Sequence, residues 1–196
     1  MRALVAMLLA VIGIGVALTV GRDESRNDLA QREQSQDERR QGEQVQWVWA
    51  RLLDSGWPQS VPQPTLVYSA RAWVHSQATG EVIYGPHLLL ANEDEIAFAL
   101  AHELAHLLLA HHGESKEMGK QPASVMRLTA WRAELEADAR ARHLMQRAGF
   151  NERGIASYFE RHAPVASAES MHPPHARRLS SLGLSYADLA TAAAPR

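Results

Sequence analysis

The sequence predicts an α+β fold, mainly helical, with a small antiparallel sheet packed against a pair of helices. Three observations carry this expectation. Apolar residues recur at helical spacing over two long stretches, one through Ile96, Leu100, Leu104 and Leu108 and one from about Val125 to Ala148. Between Thr65 and Leu90 the chain instead offers short extended segments separated by turn residues. Its 196 residues, 46% hydrophobic and 21% charged, suffice for one globular domain with a sizeable core.

The elements follow in order. Residues 1–21 contain a run from Ala3 to Val20 that is apolar or small throughout, preceded by Arg2 and followed by Arg22-Asp23-Glu24. This reads as a secretory signal or as a single membrane anchor, because spanning needs about 20 apolar residues. A core helix would show a polar face, and this segment has none. With Arg2 on the inner side the rest of the chain lies outside the cytoplasm, so an exported protein is expected, periplasmic or anchored facing the periplasm. Residues 22–44 are rich in Gln, Glu, Asp and Arg and read as a polar tether, disordered or a solvated helix.

The ordered domain, residues 45–190, opens with Val45, Val48, Trp49 and Leu52 at helical spacing, a helix that Gly56-Trp57-Pro58 ends. Extended segments are expected at Thr65–Tyr68, Ala72–His75, Glu81–Tyr84 and His87–Leu90, with a turn at Ala78-Thr79-Gly80 and a break at Gly85-Pro86. Asn92 is placed to cap a helix whose first turn is acidic and which continues to about His112. A polar loop leads to the helix Val125–Ala148, which Gly149 stops, and a shorter helix covers Asn151–Arg161. His172-Pro173-Pro174 then precedes a last helix from His175 to Leu182.

Composition excludes several chemistries. A net charge of −2 gives no electrostatic footprint for nucleic acid. The absence of cysteine removes disulfides, thiolate metal sites and cysteine nucleophiles. Ten histidines remain, and histidine is the commonest metal ligand among side chains.

His102-Glu103-Leu104-Ala105-His106 concentrates that chemistry. Residues four apart share a helix face, so both imidazoles reach one ion. Glu103, about 100° round the helix from His102, reaches a metal-bound water without ligating the ion. Zinc acidifies such a water, and a carboxylate then removes its proton as it attacks a carbonyl. The flanking Ala99, Ala101, Leu107, Leu108 and Leu109 make these polar residues intrusions in an apolar helix, where buried charge needs a partner. Two third ligands are on offer. His112 has the spacing of an HExxHxxGxxH site, but Leu109 replaces the glycine that would turn the chain back. Glu134 lies on the next helix, four residues from Asp138, so one acid can ligate while the other orients a ligand histidine. Glu134 is the ligand expected here, with one zinc ion per chain.

These motifs, followed by His172-Pro173-Pro174 and Arg178-Leu179, resemble the family of HtpX, BepA, LoiP and the CAAX prenyl endopeptidases, peptidase family M forty-eight. The resemblance spans roughly Trp47 to Leu184, with His111 standing as the later histidine near the helix end. It implies a compact minigluzincin-like domain and zinc ligation by His102, His106 and Glu134, with Glu103 as the catalytic base. It further implies a supporting or proton-donating role for Asp138, a place beside the active site for His172, and an anchoring or substrate-binding role for Arg178. Glu81–Leu90 looks like the edge strand on which family members bind peptide, although Gly85-Pro86 interrupts it. The implied activity is endopeptidase cleavage of unfolded or misassembled envelope proteins. The alternative is a zinc-stabilised chaperone-like or assembly module, which would have no use for Glu103.

Overall fold

The computed structural model describes residues 36–112, 122–162 and 170–186. The chain divides into two units, 1–42 and 43–196. The apolar run Ala3–Val20 and the tether before residue 36 lie outside the described residues, among which no helix is long and apolar enough to cross a membrane.

The first helix, α1 (36–56), begins earlier than its apolar spacing suggests. Its residues before Val45 are Gln, Glu, Asp, Arg and Gly, mostly good helix formers, and residues 36–40 are exposed. Of the two readings of the tether, the described part 36–44 is therefore helical. From Val45 onward one stripe is buried: Val45, Val48 and Leu52 are fully inaccessible. Each such side chain contributes about 1.5–3 kcal/mol on burial.

Three strands follow: β1 (Thr65–Tyr68), β2 (His75–Ser76) and β3 (Glu81–Tyr84). Their order is β1-β3-β2. Strands β2 and β3 form an antiparallel hairpin closed through Gly80, whose φ of 88° suits the residue. β1 pairs with β3 in parallel, Thr65 opposite Glu81 and Tyr68 opposite Tyr84. The sheet is thus mixed rather than antiparallel, because the chain passes from β1 to the far edge before returning in the centre. That topology also removes Glu81–Tyr84 from the edge. Both sides of β3 are hydrogen-bonded, and the free edges belong to β1 and β2. On β3 the side chains alternate, with Val82 and Tyr84 turned into the core.

The expected strand His87–Leu90 is instead a single helical turn, α2 (Pro86–Leu89). Proline fits the first turn of a helix, where its missing N–H costs nothing, and Gly85 supplies the extended cap. Helix α3 (Glu93–Leu108) has the expected start: Asn92 Oδ1 accepts from Glu95 N while Glu95 Oε2 accepts from Asn92 N. Every residue from Glu95 to Ala105 is buried, so α3 is the central helix of the domain. It ends four residues before the expected His112. Ala110 takes φ 57°, a left-handed conformation that costs a non-glycine residue about 1–2 kcal/mol, and His111 N donates back to His106 O at 3.1 Å.

Helix α4 (Ala123–Ala148) lies beside α3 and stops at Gly149, whose φ is 75°. Its buried residues are Glu134, Ala137, Asp138, Ala141, Leu144, Met145 and Ala148, a stripe at three- and four-residue spacing. Two acids therefore sit where the repeat calls for apolar side chains. Helix α5 (Arg153–Arg161) crosses the start of α3. Gly154 lies so close to the Asp94 carbonyl that a Cβ would collide with it, and Ser157 and Arg161 both bond the buried Glu95 carboxylate. Helix α6 (His175–Ser181) completes the domain and buries Arg178 and Leu179. The core joins Val48 and Leu52, Val82 and Tyr84, Phe98 and Leu100, Leu144 and Met145, and Ile155 and Phe159.

Candidate metal centre

The central helix places His102 and His106 one turn apart on the side that faces α4, and the α4 stripe presents Glu134 to both. Among the described residues, His102, His106 and Glu134 form a group whose ligand-type atoms all lie within 4.8 Å of one another. The two imidazole Nε2 atoms are 3.0 Å apart. Glu134 Oε2 is 3.4 Å from His102 Nε2, and Oε1 is 3.4 Å from His106 Nε2. His102, Glu103 and Glu134 are each only 8% exposed.

The outer nitrogens of both rings are already engaged. His102 Nδ1 lies 3.0 Å from Asp138 Oδ1, a pure acceptor, so Nδ1 carries the hydrogen. His106 Nδ1 lies 2.9 Å from His111 Nδ1, and His111 Nε2 stands 3.4 Å from Glu136 Oε2. If His106 donates from Nδ1, His111 accepts there and donates from Nε2 to Glu136, which satisfies every atom of that chain. Both Nε2 lone pairs then face each other and the Glu134 carboxylate. Three acceptors converging in a buried space make a site that a cation could satisfy. Glu134 Oε2 is buried with no well-formed hydrogen bond, its neighbours His172 Nδ1 and Arg178 Nη1 standing 3.2 Å away as ion-pair contacts. The residues present fit a metal ion, and two imidazoles with one carboxylate are donors suited to a divalent transition metal.

Electrostatics agree with that need. Burial works against a charge on His102, but Glu134 and Asp138 outweigh it and push the imidazolium up to about 10. Burial likewise disfavours the Glu134 carboxylate, yet His102, His106 and His172 hold it well below the usual range. The two carboxylates that raise His102 would likewise favour a metal cation placed among these side chains.

Arg178 supports the acids from α6. Its Nε and Nη2 form a fork on Asp138 at 2.7 and 2.6 Å, and Nη1 reaches Glu134 Oε2 at 3.2 Å. Asp138 is fully buried; burial raises its pKa, while Arg178 and then His102 lower it to a net value below the ordinary one. His172 Nδ1 lies 3.2 Å from Glu134 Oε2 at the exposed mouth of the site. Its segment is tied to α4 by Trp131, whose indole donates to Ser170 O at 3.1 Å while Arg177 packs on the ring.

Glu103, His102, His106, Glu134, Asp138, His172 and Arg178 are all brought to this one place. His112 is not among the three converging ligands: its Nε2 meets Ser76 Oγ at 3.0 Å, and that hydroxyl donates to Glu103 Oε2 at 2.8 Å. Ser76 carries no signal in the sequence, being a hydroxyl in a two-residue strand. A second missed group is aromatic. Trp73 stacks on His87 with centroids 3.8 Å apart, His162 meets both edge-on, and Trp73 hydrogen-bonds the buried Tyr158 hydroxyl. Burial pushes Tyr158 up to about 12, and Glu103 and Glu134 lie near enough to add to that rise. These residues come from a loop, α2 and the end of α5, and could not be associated by spacing.

A family model described as Peptidase U49 matches residues 4–189 of the chain. No curated protein and no solved structure matches it.

Proposed function

The chain belongs to the Peptidase U49 family, and from that membership and the donor set of its buried centre we propose that this peptidase is a zinc-dependent endopeptidase. One observation carries the metal dependence: His102, His106 and Glu134 converge with their ligand atoms within 4.8 Å of one another. His102, His106 and Glu134 would hold the ion, which supplies a Lewis acid and an acidified water when bound. Glu103 is adjacent in sequence to one ligand yet bonded to Ser76 rather than to the trio, the placement of a base that takes a proton from water and delivers it to the leaving amine. Asp138 orients His102 through Nδ1, and Arg178 offsets the charge of Asp138 and Glu134 together. His172, with its side chain 69% exposed, is poised to meet substrate and to donate to the carbonyl oxygen as charge develops there.

The ordered motifs on α3, α4 and α6 support a mechanism of the kind used by the HtpX, BepA and CAAX endopeptidases. The substrate we assign is an extended segment of unfolded or misassembled protein, with no role for nucleic acid. The free edge of β2, which bears Ser76, stands beside Glu103 and offers backbone groups to an added strand. The apolar run Ala3–Val20 supports export, as a cleaved signal or as an anchor facing the periplasm. Casein digestion with and without a chelator tests the reading. Glu103→Gln is expected to retain stoichiometric zinc and to lose cleavage, and cleavage by that variant at the wild-type rate would refute it.

A further inference from the structure

Glu103 is supported by a line of side chains that metal binding alone does not require. Its Oε2 accepts from Ser76 Oγ at 2.8 Å, and the same Oγ lies 3.0 Å from His112 Nε2. A serine hydroxyl has one proton and a carboxylate only accepts, so that proton is committed to Glu103. Toward His112 the hydroxyl is therefore the acceptor, and His112 Nε2 carries a hydrogen. The line has one direction: His112 Nε2–H to Ser76 Oγ–H to Glu103 Oε2.

The backbone gives an independent reason to regard this line as more than incidental. Helix α3 does not run on to His112; it breaks after Leu108, and Ala110 adopts φ 57° without being glycine. That reversal returns His111 to His106 and His112 to Ser76. Non-glycine backbone in this region persists only where its surroundings over-determine it, and such positions cluster at functional sites. On the other side, Ser76 is fixed by its register opposite Val82 in the hairpin. Two short segments, one strained and one hung on the sheet, thus meet at the Ser76 hydroxyl that bonds one oxygen of Glu103.

We propose that Ser76, oriented by His112, is a positioning residue for Glu103, fixing one carboxylate oxygen so that the other is presented to the reacting water. The proposal rests on the reading of Glu103 as the base. A hydroxyl present only to satisfy a buried carboxylate would leave turnover unchanged when removed, whereas a positioning hydroxyl governs it.

The test uses the full-length, zinc-loaded protein and a fluorogenic peptide that it cleaves. Ser76→Ala is expected to lower kcat by about 10- to 100-fold, the usual cost of removing a supporting partner, with KM and zinc content unchanged. Ser76→Thr keeps the hydroxyl and restores most of kcat. His112→Gln keeps an N–H donor and loses less than His112→Leu. On the residual single-turnover rate of a Glu103→Gln background, Ser76→Ala causes no further loss, because Ser76 acts only through that carboxylate. Wild-type kcat in Ser76→Ala, or an undiminished Ser76→Ala effect in the double variant, overturns the proposal. So does a Ser76→Thr variant as slow as Ser76→Ala. If Glu103→Gln is inactive while Ser76→Ala turns over normally, this inference alone fails; if Glu103→Gln is fully active, the zinc-peptidase reading falls and the inference with it.

Discussion

Replacing Arg178 by methionine isolates the part of the centre that is electrostatic rather than catalytic. The guanidinium is 7% exposed and forks onto Asp138, which is fully buried. Methionine fills much of the space but leaves Asp138 with one remaining partner, His102 Nδ1 at 3.0 Å. Breaking a buried pair by removing one member costs about 3–5 kcal/mol, and the surviving His102 contact places this case near the lower end, about 3 kcal/mol. For a domain of this size, each kcal/mol moves Tm by about 2–4 °C, so Tm should fall by about 6–12 °C. Arg178→Lys, which keeps the charge and loses the fork, should fall between wild type and methionine. Removing both charges in Arg178→Met/Asp138→Leu should be milder than Arg178→Met alone, since no charge is then left unpaired. Thermal and urea unfolding followed by circular dichroism, in chelator and again in zinc, measure all of these. A loss below about 1 kcal/mol for Arg178→Met, the level of an exposed pair, would refute the reasoning.

The remaining predictions concern ligands, acidity and packing. Metal analysis should show zinc lost from Glu134→Ala and retained by His112→Ala; retention in the former would exclude Glu134 as a ligand. Burial, then His162, lowers His87 to about 4 from the ordinary 6.5. Between those values the unfolded chain binds a proton that the folded chain does not, so stability falls as pH drops from 6.5 toward 4. His87→Gln should therefore show a smaller difference in urea midpoint between pH 7 and pH 4.5 than wild type, and an equal difference would contradict the burial of that ring. Gly154→Ala drives a methyl group into the Asp94 carbonyl and should cost about 1–3 kcal/mol, read as a lower urea midpoint. An unchanged midpoint would mean that the start of α5 shifts freely over α3.

Much of the fold was legible because helices announce themselves locally. Asn92 and Glu95 lie three residues apart and can only cap one another, and Gly149 stands where a left-handed residue ends α4. The sheet was read less well. Strand existence followed from Thr65–Tyr68 and Glu81–Tyr84, but a parallel pairing between segments sixteen residues apart leaves no mark on either. The same limit hid the central position of β3. At His87–Leu90, apolar residues suited a strand or a helical turn equally, and Pro86 at the first helical position decided the matter. Leu109 argued for a helix running on to His112, yet the chain turns one residue later through a strained alanine, a reversal that only contacts at its far end sustain.

By itself the sequence determined the chemistry that α3 and α4 carry, because the spacing of His102, Glu103 and His106, and of Glu134 and Asp138, is a property of one helix at a time. It also marked His102, Glu103 and His106 as polar intrusions in an apolar helix, whereas the burial of Glu134 and Asp138 emerged only on folding. Only the tertiary structure decided how those elements meet: that Glu134 faces two imidazole nitrogens, that Arg178 closes on Asp138 from forty residues away, and that His112 meets the Ser76 hydroxyl that bonds Glu103. The physical reason is range. Helical periodicity acts across one turn, while a side-chain hydrogen bond between distant segments depends on the packing of the whole domain.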